Sequence, residues 1–243
     1  MWYITIGDFL NLSLIIPAYN EEKNITPTVI EYKEKLSSSK SISKFEILLI
    51  SNNCSDKTPA ICKRLAKNKN IQHFDIPYYS GKGGAVILGF KKAKYDYLAF
   101  VDADNSTKPA EFMKLIPKIQ KKQVGAVIAS RKMPGAKLIK KQPFTRAILG
   151  NCFAFFREIL FNFGIQDSQC GAKIFLRKAI IPLKIKTLGW AFDIELLYKV
   201  KLKKYKILEV GIDWKDNPAS KVGILSPIAM FLDLIKIRLM YLY

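Results

Sequence analysis

Short apolar runs alternate with helix-length segments through the first half of this chain, and that alternation restricts its fold more than any other feature. Residues 12–17, 45–50, 71–76, 97–101 and 124–130 read as buried strands. Between them lie stretches of about 10 to 15 residues with helix signals. The first ends near Leu36, the second opens at Thr58-Pro59, where proline suits a first helical turn, the third starts at Gly81-Lys82-Gly83-Gly84 and ends near Lys94, and Pro109 opens the next. Asn20 is expected to cap the first helix, because its side chain can accept from orphan backbone N–H groups. The pattern predicts a mostly parallel, twisted, doubly wound α/β sheet with helices on both faces.

Beyond Arg131 the pattern changes. A basic loop at 132–142 precedes an aromatic helix, polar residues gather at 166–171, and short strands are expected at 173–176 and 206–213 around a helix at 192–202. An amphipathic helix ends the chain. With no internal repeat, residues 1–243 are expected to form one domain, a length that commonly buries a single core. Residues 1–130 then form a nucleotide-binding half and residues 131–243 an acceptor half that touches something apolar.

Apolar residues make up 49% of the chain, ordinary for a soluble globular protein, so the unusual quantity is a net charge of +20. Nucleic acid, anionic lipid and phosphorylated substrates all suit such a field. The cysteines, Cys54, Cys62, Cys152 and Cys170, lack C-x-x-C spacing and are expected to be reduced thiols in a cytosolic setting. His73 is the only histidine. Its place before Phe74 suits a strand residue, which discounts a Ser-His-Asp triad or a histidine metal site. No signal peptide and no spanning helix is expected, since no uncharged apolar run reaches eighteen residues. Two helices near 144–163 and 227–243 carry charges among Phe, Leu and Ile, a pattern that suits a membrane interface or packing against the core.

Two carboxylates, Asp102 and Asp104, stand where the strand at 97–101 ends. Ligands of open α/β sheets bind beyond the carboxyl ends of strands, and carboxylates hold Mg²⁺ or Mn²⁺, which in turn bridge phosphates. Taken in isolation, an Asp-X-Asp reads first as a solvated loop, and the rest of the chain must decide. The glycine run at 81–84 fits neither the Walker pattern nor Gly-x-Gly-x-x-Gly. What it offers is close backbone approach and the charge of Lys82 for a phosphate.

Residues 14–22 (Leu-Ile-Ile-Pro-Ala-Tyr-Asn-Glu-Glu), the turn ending Asp56-Lys57-Thr58, Gly81-Lys82-Gly83-Gly84-Ala85-Val86 and Asp102-Ala103-Asp104 occur in the order found in GT-A glycosyltransferases of family 2. Ala129-Ser130-Arg131, the segment 167–173 (Asp-Ser-Gln-Cys-Gly-Ala-Lys), the segment 190–198 and Ser220-Lys221-Val222 resemble the polyprenyl-phosphate branch. That branch holds the dolichyl-phosphate β-glucosyltransferases, which the pattern resembles most, and the dolichyl-phosphate mannose synthases. The resemblance runs from Leu12 to the end of the chain. It implies an inverting, metal-dependent transfer of a hexose, with UDP-glucose favoured as donor, to dolichyl or polyprenyl phosphate at the cytoplasmic face of a membrane, with no role for nucleic acid.

By the same resemblance Pro17, Tyr19, Glu21 and Asn52 hold the nucleotide, although the family turn begins Asp-Asp-Gly-Ser where this chain has Ser51-Asn52-Asn53-Cys54. Asp102 and Asp104 hold Mg²⁺ or Mn²⁺ on the donor diphosphate, and Lys82 and Lys221 assist there. Arg131 and Arg146 clamp the acceptor phosphate, while Asp167 and Glu195 orient sugar or basic residues. A phosphate acceptor is already anionic at neutral pH, its second pKa being about 6, so no general base is needed. Three alternatives stay open: a GDP-mannose donor, a glycan hydroxyl acceptor with Asp193 or Glu195 as base, and a non-catalytic binder of anionic surfaces or nucleic acid.

Overall fold

A computed structural model of the chain describes residues 9–136, 144–182, 184–189, 191–214 and 226–241, with backbone alone at 144–149 and 226–228. In chain order the elements are β1 (Leu10–Ala18), α1 (Ile25–Ser37), β2 (Ile42–Asn52), α2 (Thr58–Leu65), β3 (Ile71–Ile76), α3 (Gly81–Lys92), β4 (Tyr97–Phe100), α4 (Pro109–Met113), α5 (Ile116–Ile119) and β5 (Val124–Ser130). There follow α6 (Phe144–Phe161), β6 (Lys173–Leu176), α7 (Arg177–Ile180), α8 (Phe192–Leu202), β7 (Lys206–Gly211) and α9 (Ser226–Met240).

The seven strands form one sheet in the order β3-β2-β1-β4-β6-β5-β7. β6 runs antiparallel to β4 and β5, and the other pairings are parallel. Both faces are covered, which is why the strands read as unbroken apolar runs. On β1, Leu12, Leu14 and Ile16 join Ile25 and Val29 of α1 on one face. Ile15 points the other way, to Val86 and Phe90 of α3 and Phe192 and Leu196 of α8. The expected mostly parallel α/β sheet is therefore present, with the antiparallel β6 inserted between β4 and β5.

Asn20 does not cap α1. The helix begins at Ile25 behind Asn24, and Asn20 takes the left-handed conformation at φ 53°, which asparagine tolerates better than most residues. Its side chain joins two loops, donating to Ser55 Oγ at 3.2 Å and accepting from the Ser55 N–H at 2.8 Å.

α6 and α9 pack on each other through Phe153, Phe156 and Phe231. Phe153, Phe161, Leu234 and Ile237 join Ile194 and Tyr198 of α8 in a small separate core. Their outer faces expose Phe155, Phe156 and Ile159 on α6 and Leu232, Ile235 and Leu239 on α9. Among the described residues no helix is long and apolar enough to cross a membrane.

Candidate active site at the carboxyl edge of the sheet

The chain leaves β4 into the acidic loop, and α1 fixes that loop from below. Thr28 Oγ1 donates to the Ala103 carbonyl and Tyr32 Oη to the Thr107 carbonyl, each at 2.8 Å. The Ser106 N–H donates to Asp104 Oδ1 at 3.0 Å. Burial, and then the neighbouring charge of Asp102, push the Asp104 carboxyl above the usual carboxylate range despite that bond. Asp102 meets Lys82 of α3 at 2.5 Å, and the Lys82 ammonium also stands 5.7 Å from the Phe100 ring centre. Burial pulls the Lys82 pKa down, but the charges of Asp102 and Asp193 outweigh it and raise it.

Behind this pair lies a second, buried one. Lys173 opens β6 opposite Phe100, is fully buried, and stands 5.0 Å from the Phe100 ring centre. It donates to the Cys170 carbonyl at 2.6 Å. It also meets Asp193 Oδ1 of α8 at 3.0 Å. Burial raises the Asp193 pKa, opposed by Lys173 and Lys82. Sequence reasoning missed Lys173, although a lysine opening the run Ile174-Phe175-Leu176 is a signal: a charge entering a buried strand must find a partner there.

Asp102 and Asp104 suit a hard divalent cation. Among the described residues no third acidic, histidine or cysteine side chain completes a cage. Two carboxylates match the way Mg²⁺ is held, with water and substrate phosphates filling the other positions. Burial and then the like charge of Asp102 raise the Asp104 pKa, and a cation between the two groups relieves the like-charge part.

Arg131 follows β5 on the same edge and feels the charge of Asp102. Asp167 grips its fork: Nε donates at 2.7 Å, NH2 at 2.8 Å and the backbone N–H at 2.9 Å. The guanidinium also lies 5.1 Å from the Trp214 ring centre. Burial raises the Asp167 pKa, but the hydrogen bonds and charge of Arg131 outweigh it and hold the carboxyl below its usual range. Asp167 thus fixes how the Arg131 side chain lies.

Other expected residues are committed elsewhere. The Asn52 side chain is buried, donating to the Gly81 carbonyl at 2.9 Å and accepting from Ser80 Oγ at 3.0 Å, so its amide ties β2 to the start of α3. Gly81 itself has φ +65°, and a Cβ there would lie 2.3 Å from the Leu188 carbonyl oxygen. The Gly83 N–H donates to that same carbonyl at 2.9 Å. Gly81 and Gly83 are accounted for by close docking of α3 on Leu188, whereas Gly84 packs against Ser80. Glu195 is fully buried and accepts from the N–H groups of Lys186 and Thr187 and from Tyr241 Oη.

Pro17 is half-buried at the end of β1 and Tyr19 is exposed beyond it. Glu21 accepts from Asn24 Nδ2 at 2.8 Å and lies near enough for its charge to act on Asp104. The Arg146 side chain and Lys221 lie outside the described residues. His73 sits in β3 with Nε2 2.7 Å from Ser51 Oγ, but Ser51 is fully buried and can reach no substrate as a nucleophile.

The pattern of glycosyl transferase family 2 matches residues 13–183. A dolichyl-phosphate β-glucosyltransferase of Saccharomyces cerevisiae is 32% identical over 255 residues, covering 95% of this chain and 75% of that one. Among solved structures, a mannosyltransferase from Pyrobaculum calidifontis in complex with GDP-Man and Mn²⁺ superposes with a TM-score of 0.68 at 16% identity, over 96% of this chain and 64% of that chain. Glucosyl-3-phosphoglycerate synthase from Mycobacterium tuberculosis, in complex with Mn²⁺, UDP and phosphoglyceric acid, gives 0.64 at 16% identity, over 94% and 78%. These likenesses show the GT-A fold, and with the match over most of the sheet they establish that the chain belongs to glycosyl transferase family 2.

Proposed function

We propose that the chain transfers a glucosyl group from UDP-glucose to dolichyl or a related polyprenyl phosphate at a membrane surface, with inversion at the anomeric carbon. The observation that carries the reading is the placing of charge along one sheet edge. The carboxylates Asp102 and Asp104 stand after β4, and the arginine fork of Arg131 stands after β5, near enough to feel Asp102. The name of the yeast relative supports both glucose and the lipid acceptor.

Asp102 and Asp104 would hold Mg²⁺ or Mn²⁺, which would supply positive charge opposite the donor diphosphate. Lys82, close to Asp102, adds positive charge on the donor side. Arg131 orients the acceptor phosphate, its own orientation fixed by Asp167. These are positioning and electrostatic tasks, and an ionised phosphate acceptor needs no base. A hydroxyl acceptor would need one, and both expected bases are engaged: Asp193 by Lys173 and Glu195 by two backbone N–H groups. The GDP-Man-bound mannosyltransferase supports a GDP-mannose donor as the second reading.

The exposed stripes Phe155, Phe156, Ile159 and Leu232, Ile235, Leu239 suit insertion among lipid headgroups, and the net charge of +20 suits an anionic leaflet. The family resemblance supports the cytoplasmic face, with the chain bound peripherally.

The test supplies radiolabelled UDP-glucose and GDP-mannose in parallel, with polyprenyl phosphate and Mg²⁺ or Mn²⁺. An acid-labile, organic-soluble product from UDP-glucose is expected, abolished in Asp104→Asn. A stable glycoside, or no lipid product from either donor, refutes the reading. Co-sedimentation with anionic vesicles, released by high salt, is expected of the membrane face; indifference to lipid removes it.

A further inference from the structure

We infer that Gly171 is a positioning residue for the metal seat: its missing side chain is the space in which the Asp102 carboxylate sits. This rests on the reading of Asp102 as a metal-holding carboxylate.

β4 and β6 pair antiparallel, ending with Phe100 opposite Lys173. Continued by two residues on each strand, that register sets Asp102 opposite Gly171. The side chain of Asp102 folds across the gap. A Cβ on Gly171 would lie 1.8 Å from Asp102 Oδ2 and 2.4 Å from its Cγ. Gly171 does not have a positive φ, as Gly81, Gly135 and Gly164 do, so its backbone conformation is open to any residue. What requires glycine at 171 is room.

The backbone at this point has little freedom to retreat. On one side of Gly171 the Cys170 carbonyl accepts from buried Lys173 at 2.6 Å. On the other the Ala172 carbonyl accepts from the Ala129 N–H at 3.0 Å. A methyl group therefore acts on the mobile partner, and the carboxylate swings away from Asp104 and from Lys82, which holds its other oxygen at 2.5 Å. That swing breaks neither of these carbonyl bonds, so the fold survives while the paired carboxylates are lost.

The experiment measures Mn²⁺ affinity in the presence of UDP, by the electron-spin-resonance signal of free Mn²⁺, together with thermal melting. Four variants are compared with wild type: Gly171→Ala, Asp102→Ala, the double variant, and Gly150→Ala, whose added Cβ meets nothing within 4 Å. Gly171→Ala is expected to weaken Mn²⁺ binding by about tenfold or more, the scale of losing a group that orients a ligand. Gly150→Ala is expected to match wild type in Mn²⁺ affinity and to melt no lower, since alanine suits the interior of α6 better than glycine. In the Asp102→Ala background the space is empty, so Gly171→Ala is expected to cost nothing further in affinity or melting.

Wild-type affinity in Gly171→Ala overturns the inference, as does a double variant clearly weaker than Asp102→Ala alone. If Gly171→Ala does not fold, a folded double variant still supports the steric link, and an unfolded one overturns it. A wild-type chain that takes up no Mn²⁺ overturns the metal seat and this inference together, whereas normal wild-type uptake with an unaffected Gly171→Ala overturns the inference alone.

Discussion

Removing the Asp167 carboxylate should separate the two halves of the reaction. Asp167 is buried and accepts three bonds from Arg131, whose side chain is 21% exposed. Removing one partner of a buried ion pair costs ~3–5 kcal/mol. The partial exposure of Arg131 lets water compensate some of its charge, so the lower end, about 3 kcal/mol, applies to Asp167→Ala. For a chain of this size 1 kcal/mol shifts the melting temperature by roughly 2–4 °C, so a drop of about 6–12 °C is expected. The folded carboxyl titrates below its usual range, so its stabilising contribution is complete above the unfolded pKa of about 3.9. It is lost as pH falls through the lower folded value, and wild type and Asp167→Asn should converge in melting temperature under strongly acidic conditions. In the transfer assay, Asp167→Asn should raise KM for polyprenyl phosphate about tenfold and leave KM for UDP-glucose within roughly twofold, since a charge-assisted hydrogen bond is worth ~1.5–3 kcal/mol. A donor KM that rises instead would refute the acceptor role of Arg131, and unchanged melting would refute the strength assigned to the pair.

Lys82→Met should bind Mn²⁺ alone more tightly, by roughly threefold to tenfold, because Asp102 loses its 2.5 Å counter-cation, yet bind UDP-glucose more weakly; calorimetry reads both, and unchanged Mn²⁺ affinity would refute the competition. Because Asp104 is held above the usual carboxylate range, Mn²⁺ uptake should fade on acidification at a higher pH than an ordinary carboxylate would give, and Asp104→Asn should abolish uptake throughout. Gly81→Ala, strained at φ +65° and clashing with the Leu188 carbonyl, should lose ~1–3 kcal/mol of stability by urea unfolding; a neutral effect would show that the loop can shift. Ile159→Glu combined with Ile235→Glu, both at exposed positions, should leave melting within about 2 °C and abolish co-sedimentation with anionic vesicles.

The strand pattern was readable because strands covered on both faces leave continuous apolar runs, and the bounds 71–76, 124–130, 173–176 and 192–202 coincide with β3, β5, β6 and α8. The position of Asp102 and Asp104 directly after β4 was readable for a related reason, since the apolar run marks where the buried strand ends. What could not be read is what depends on tertiary pairing. Asn52 and Glu195 carry the polar groups of a binding site, yet their hydrogen bonds are spent on the main chain of the 80–81 and 186–187 segments. A glutamate that accepts backbone N–H groups and one that orients a sugar look alike in sequence. The glycines at 81–84 look like a phosphate loop because close approach to a carbonyl and close approach to a phosphate select the same residue.

The hidden part of the site follows from the position of β6. A strand inserted antiparallel between β4 and β5 brings its beginning, not its end, to the carboxyl edge. Residues just before β6 are thereby set against residues just after β4, which joins Gly171 to Asp102 and Lys173 to the ring of Phe100. The same insertion sets Asp167, on the approach to β6, against Arg131 at the exit of β5. One antiparallel strand thus brings the counter-charge of Asp167 to Arg131 and leaves the space in which the Asp102 carboxylate sits. A uniformly parallel sheet would place the start of that strand at the opposite edge, with Asp102 facing no glycine and Arg131 facing no Asp167.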